Sequence, residues 1–233
     1  MFKHIINKCL KNIQRCALCG ARDCQTHGLC EGCHADLPWL IHSCPRCALP
    51  LPRHLSGLCL QCRHELPLFD RVQAAFTYSF PVSELIPVIK YQRQPAHLGW
   101  LAAVLGDFIL QRHEGQWPDA LVPVPMHRFS QINRGYNQAE LLAQRLGKQL
   151  QIPLNACLHK HRRTPKQMSL SLEDRRHNLQ GAFAVRSAVP EHVALVDDVM
   201  TTGTTASTLT RLLLERGCKQ VDIWVLARTP ENH

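Results

Sequence analysis

Four C-x-x-C pairs crowd the first 62 residues of this chain: Cys16/Cys19, Cys30/Cys33, Cys44/Cys47 and Cys59/Cys62. Ten of the twelve cysteines lie there, and only Cys157 and Cys218 lie beyond. Two cysteines separated by two residues can turn both sulfurs toward one tetrahedral centre, and two such pairs complete a four-thiolate site. With ten or eleven residues between successive pairs, Cys16, Cys19, Cys30 and Cys33 form one expected zinc site. Cys44, Cys47, Cys59 and Cys62 form the second. An interleaved arrangement that crosses the pairs satisfies the same spacing and stays open. A redox-active C-x-x-C motif would sit in a βαβ pattern, which this Gly/Pro/His-rich stretch lacks. A disulfide framework would need export, yet the opening MFKHIINKCL has no apolar core for a signal peptide. The expected compartment is the cytoplasm. Cys9 and Cys24 fall outside the pairs and read as small buried residues or free thiols.

About 60 residues cannot build much of a core, so metal is expected to supply the folding energy of this segment. Residues 1–70 carry eight Lys/Arg against five Asp/Glu. Each zinc held by four thiolates adds a net −2, which brings the segment close to neutral. A nucleic-acid role for the module therefore cannot rest on its basicity. The expected division is a double zinc-ribbon module over 1–68 and a second domain over 69–233.

That second part reads as α/β. Val72–Tyr78, Ala120–Val124, Val193–Val196 and Val221–Ala227 have the apolar character of strands. Ser83–Tyr91, distorted by Pro87, together with Leu98–Gln111, Gln138–Leu150 and Ser207–Arg216, has helical spacing. Alternating strands and helices imply a parallel or mixed sheet. The longest apolar stretch, Gly99–Leu110, is interrupted by Asp107 and is too short to span a membrane.

The sharpest chemical signal is VALVDDVMTTGTTAS, Val193–Ser207. An apolar strand runs into Asp197 and Asp198, and a Thr/Gly loop then opens a helix. Thr201, Thr202, Gly203, Thr204 and Thr205 offer hydroxyls and backbone N–H groups at a helix N-terminus, suited to a phosphate monoester. Two carboxylates repel phosphate and need another partner; vicinal sugar hydroxyls a few bonds away fit. The implied ligand is a ribose 5-phosphate. This stretch resembles the phosphoribosyl pyrophosphate (PRPP) motif of type I phosphoribosyltransferases. It is not a Walker loop, because no Gly-Lys-Ser/Thr follows the glycine.

Two further stretches fit the same resemblance. VPVPMHRFSQINRGYNQ, Val122–Gln138, corresponds to the loop that cradles pyrophosphate, with Arg128 as the bidentate contact. Lys160–Arg176 carries Arg162, Arg163, Lys166, Arg175 and Arg176, a flexible basic loop that could close over the leaving group. A solvated basic surface or a nucleic-acid patch is the competing reading of that loop.

The chain as a whole resembles the ComF/GntX family of competence and DNA-utilisation proteins. The cysteine pairs, FDRVQAAFTYSFPVSELIPVIKY, LVPVPMHRFSQINRGYNQAELLAQRLG, RRTPKQMSLSLEDRRHNLQGAF, the acid-pair motif and the ending VDIWVLART carry the resemblance across residues 16–229. Lys166 stands where many relatives have a second proline, and Cys24 lies outside the paired pattern. The resemblance implies zinc ribbons fused to a phosphoribosyltransferase-like domain, in a protein of DNA uptake or growth on DNA. It implies magnesium bound with PRPP, Asp197 and Asp198 on the ribose, and a hood over the acceptor formed near Phe80–His97. Two functions follow from it. One is a magnesium-dependent phosphoribosyltransferase with an unknown acceptor. The other is a non-catalytic adaptor that binds single-stranded DNA beside a DNA-translocating ATPase. The net charge of +9 suits an anionic partner in either case.

Overall fold

The computed structural model describes residues 15–22, 24, 27–92, 94–162 and 181–231. Four strands form a parallel sheet: β1 (Arg71–Thr77), β2 (Ala120–Pro123), β5 (His192–Met200) and β6 (Gln220–Arg228). Their spatial order is β1-β6-β5-β2, with Val72 opposite Ile223, Val196 opposite Trp224 and Leu121 opposite Ala194. The central pair β5 and β6 is apolar along most of its length, as a sheet covered on both faces requires.

The helices explain that covering. α4 (Leu98–Arg112) buries Leu101, Leu105 and Ile109, and it packs on α6 (Gln138–Leu150), which buries Leu142 and Leu146. α7 (Thr204–Leu214) buries Leu209 and Leu213 in the cluster that holds Val193, Leu195, Ile223 and Val225. Successive residues of a strand point to opposite faces, so Ile223 and Val225 reach this cluster while Trp224 does not. Pro87 sits inside α3 (Val82–Tyr91) without ending it. A two-stranded antiparallel ribbon, β3 (Leu158–Lys160) with β4 (Phe183–Val185), was not expected; three residues per strand leave no readable period.

The chain divides into two compact units, Met1–Leu37 and Pro38–His233. This differs from the expected boundary at 68, because the second four-cysteine group belongs to the larger unit. The physical reason is burial: Cys44, Cys47, Cys59 and Cys62 lie in the same apolar cluster as Val193, Leu209 and Ile223. In the smaller unit, α1 (Glu31–Ala35) follows Cys30 directly; in the larger, α2 (Leu60–His64) follows Cys59 in the same way.

Candidate phosphoribosyl site and metal centres

β5 is longer than its apolar core suggests, and it carries the acid pair as the sixth and seventh of its nine residues. Asp197 Oδ1 accepts from the Asp198 backbone N–H at 2.8 Å. Asp198 accepts from Lys90 Nζ at 2.9 Å, an ion pair whose side chains are 10% and 25% exposed. Lys90 comes from the last turn of α3, and spacing alone offered no signal for it. Burial opposes its charge, but Asp198 and Asp197 outweigh that and raise its pKa. Asp197 is pushed up to about 7 by burial and by the Asp198 carboxylate, with Lys90 and Lys160 only partly offsetting them. Two adjacent carboxylates share one close ammonium here, so one of them holds its proton near neutrality.

After Met200 the chain turns through Thr201 and Thr202 to Gly203, whose φ of 77° lies in the left-handed region. Thr202 Oγ1 lies 2.8 Å from Thr204 Oγ1 and accepts from the Thr204 N–H at 3.5 Å. Thr208 donates its hydroxyl to the Thr204 carbonyl at 2.8 Å. The first-turn N–H groups of an 11-residue helix have no intrahelical partner and point at this turn. Thr201 and Thr202 are exposed, and Thr204 and Thr205 half-buried, as a site open to a ligand requires. A Cβ on Gly203 would lie 2.7 Å from Met200 Cε. Gly203→Ala is therefore expected to cost about 1–2 kcal/mol, combining left-handed strain with the clash. Thermal unfolding of the variant checks it.

β2 ends beside β5, and the Val124 N–H still donates to the Val196 carbonyl at 2.9 Å. The segment after β2 is thereby held next to the acid pair. It contains a short helix, α5 (Arg128–Arg134), rather than a continuous loop. His127 caps α5 by accepting from the Phe129 N–H at 3.3 Å, and Gly135 ends it at φ 92°. Asn137 caps α6 through the Ala139 N–H at 3.1 Å and donates to the Val124 carbonyl at 3.0 Å. Arg128 is exposed and lines an open depression with Gln131, Ile132 and Gly135, of about 350 Å³. The Tyr136 hydroxyl donates to the Ile89 carbonyl, tying this segment to α3. Of the basic loop, Arg162 is exposed after β3; Arg163, Lys166, Arg175 and Arg176 lie outside the described residues.

The cysteines group by adjacent pairs, not crossed ones: Cys16, Cys19, Cys30 and Cys33 in one set, Cys44, Cys47, Cys59 and Cys62 in the other. Within each set the sulfurs lie within 4.8 Å of one another. Cys19 Sγ to Cys30 Sγ and Cys47 Sγ to Cys59 Sγ are both 3.6 Å. A zinc–sulfur tetrahedron has an edge of about 3.8 Å, so both sets fit a metal ion. The turns are built for thiolates. Burial opposes ionisation of Cys16, but the backbone amides of Cys19, Cys30 and Leu18 lower it to about 6. Cys44 is lowered to about 7 against its burial by the amides of Cys59, Cys47 and Arg46. Cys47 is pushed up to about 11 by burial and by Cys44. Cys33 is raised by its sulfur neighbours and Cys62 by burial. Four sulfurs this close ionise together only around a cation. Cys24 stays outside the first set, its sulfur 3.8 Å from the Ala21 carbonyl. Cys9 lies outside the described residues.

Against known proteins, the chain is 35% identical to "Competence protein F" of Haemophilus influenzae, over 92% of this chain and 96% of that protein. It belongs to the competence protein F family. "DNA utilization protein YhgH" of Escherichia coli K12 is 34% identical over 87% of this chain and 91% of its own. "Competence protein ComFC" of Bacillus subtilis is 29% identical over 81% and 79%. A phosphoribosyl transferase domain model matches residues 133–233, which contain the acid pair and the Thr/Gly turn. Among solved structures, a purine phosphoribosyltransferase from Pyrococcus horikoshii aligns with 60% of this chain and 87% of its own at 17% identity and a TM-score of 0.36. Among the described residues of this competence protein F homologue, no helix is long and apolar enough to cross a membrane.

Proposed function

We propose that the C-terminal edge of the sheet binds PRPP with magnesium and that the two cysteine sets each hold a structural zinc ion. The observation that carries the PRPP reading is the adjacency of an acid pair, Asp198 buried and Asp197 half-buried, and an open Thr/Gly helix start on a single β-strand turn. The 5-phosphate accepts from the Thr204 and Thr205 N–H groups and the Thr201 and Thr202 hydroxyls. The ribose hydroxyls donate to Asp197 and Asp198, which must then both be ionised. Arg128 receives the pyrophosphate. Magnesium, when bound, neutralises the pyrophosphate oxygens and steadies the leaving group. If the site is catalytic, the anomeric carbon–oxygen bond breaks, pyrophosphate leaves with the electron pair, and an acceptor nucleophile forms the new bond.

Calorimetric titration of the zinc-loaded protein with magnesium–PRPP is the test. Because Asp197 is half-protonated near pH 7 before binding, the titration should release protons at pH 6.5 and none at pH 9. Measured heats should therefore depend on buffer ionisation enthalpy only in the lower range. Absence of binding by the wild type removes the PRPP assignment. Arg128→Ala should weaken binding about 10-fold or more, the worth of one charge-assisted contact.

A second reading, single-stranded DNA binding, is favoured by one observation. Phe80, just after β1, and Phe129, after β2, are 77% and 71% exposed at the same sheet edge as the phosphate turn. Exposed aromatic rings at the end of the sheet that carries the phosphate donors suit base stacking. Oligonucleotide affinity should then fall steeply with salt and drop with Phe129→Ala; a flat salt dependence counts against it.

A further inference from the structure

Arg228 closes β6 and is 4% exposed, yet it belongs to neither the acid pair, the Thr/Gly turn nor a cysteine set. It touches the backbone of two of these. Its Nε donates to the Cys47 carbonyl at 3.1 Å. Its Nη1 donates to the Met200 carbonyl at 3.2 Å, the Thr229 carbonyl at 2.9 Å and the Thr201 carbonyl. The Thr229 N–H returns a bond to the Met200 carbonyl at 3.0 Å. One planar fork thus holds the Cys44–Cys47 turn on one side and the entry to the phosphate turn on the other. Guanidinium is suited to this because its donors keep a fixed geometry and its charge is permanent.

Burying such a cation is costly unless a counter-charge is near. Among the described residues, Arg228 forms no ion pair with a carboxylate. A divalent ion in the Cys44, Cys47, Cys59 and Cys62 set carries a net −2 with its four thiolates. That set is entirely buried and adjoins the fork through Cys47. Glu231 acts on the guanidinium without pairing with it, and the loaded metal turn, through Cys47 and Cys59, supplies the closer negative charge.

We propose that Arg228 is a positioning residue that couples metal occupancy of the second cysteine set to the geometry of the Thr201–Thr205 turn. The idea rests on the reading of that turn as a phosphate site. Thermodynamic reciprocity then fixes its consequence: ligand in the phosphate turn tightens the metal, and metal tightens the ligand by the same factor. The other cysteine set has no place in this linkage.

Two readouts test it on the full chain. In the first, zinc release to a chromogenic chelator is followed in a background of Cys19→Ser with Cys30→Ser, so that only the second set reports. Saturating magnesium–PRPP should slow release at least about 5-fold, the lower end of ordinary couplings. Arg228→Met should load zinc and lose the slowing, and Arg228→Lys should restore part of it. Equal slowing in Arg228→Met would overturn the proposal. In the second, hydrogen exchange of the peptide spanning 199–206 is compared between zinc-loaded wild type and zinc-loaded Arg228→Met, without any ligand, with the peptide spanning 71–77 as the gauge of global opening. Exchange at 199–206 should be higher in Arg228→Met while 71–77 stays equally protected in both. Equal exchange at 199–206 overturns the coupling even where PRPP fails to bind, and failure to bind with higher exchange sinks only the phosphate reading. If Arg228→Met does not fold, Arg228→Lys takes its place in both arms.

Discussion

Asp197→Asn and Asp198→Asn should move stability in opposite directions while both weaken ligand binding. Asp198 is the carboxylate that Lys90 grips at 2.9 Å. Replacing it leaves a three-quarters buried ammonium without its counter-charge. Breaking a fully buried pair costs about 3–5 kcal/mol, and partial exposure of Lys90 reduces this to about 1–3 kcal/mol. Asp197 behaves otherwise because its carboxyl is raised to about 7. Between the unfolded carboxyl range near 4 and pH 7, the folded chain holds a proton that the unfolded chain has released. Stability therefore falls as pH rises through that window, and the loss is complete above it. Asparagine cannot ionise and escapes the loss. Asp197→Asn should gain about 1–2 kcal/mol at pH 8, a rise of roughly 2–8 °C in melting temperature. The gain should vanish at about pH 3, where the wild-type carboxyl is protonated in both states. Magnesium–PRPP affinity should fall about 10- to 100-fold in either variant, the worth of charge-assisted bonds to the ribose hydroxyls, and below detection in the double variant. A melting temperature that drops for Asp197→Asn at pH 8 would mean that this carboxylate is not strained in the ligand-free fold. Such a result would separate the site from those that store destabilisation for binding.

What could be read beforehand follows from the range of the interactions involved. β1, β6, α4 and α6 were legible because their signals are local: unbroken apolar runs for buried strands and recurring leucines for helix faces. Asp197 and Asp198 were legible as a pair for the same reason, being neighbours just before a glycine turn. Their environment was not. Lys90 reaches Asp198 only because α3 packs over the sheet edge, and no spacing rule links residues that far apart. The helix at Arg128–Arg134 was hidden by Pro123 and Pro125, which read as a turn, while its cap is a histidine rather than the usual Ser, Thr, Asp or Asn. Arg228 lies just past the expected strand Val221–Ala227 and drew no reading, because its four carbonyl partners come from three separate segments. Cysteine spacing found both metal sets but could not tell them apart, because spacing reports geometry along the chain and not what the sulfurs pack against.

That difference between the sets carries the largest expected effect. Cys44, Cys47, Cys59 and Cys62 are all buried and share one apolar cluster with Val193, Leu209, Leu213 and Ile223. In the first set only Cys16 is buried, and Cys19 is exposed. Removing two thiolates forfeits a binding energy of about 10–16 kcal/mol in structural zinc sites, as large as the whole stability of an ordinary domain. In the second set that loss falls on the sheet itself. Two hydroxyls would enter an apolar cluster, and the remaining buried thiols would lose the cation that lets them ionise. Cys59→Ser with Cys62→Ser should therefore abolish the cooperative thermal transition and the near-ultraviolet dichroism of Trp224 packed in the sheet. Cys19→Ser with Cys30→Ser should lose one equivalent of zinc yet keep that transition, because the first set lies in the unit ending at Leu37. Zinc stoichiometry and thermal melts on both variants check the expectation. Equal loss of the transition in the two would show that the first set is as much a part of the phosphoribosyl body as the second.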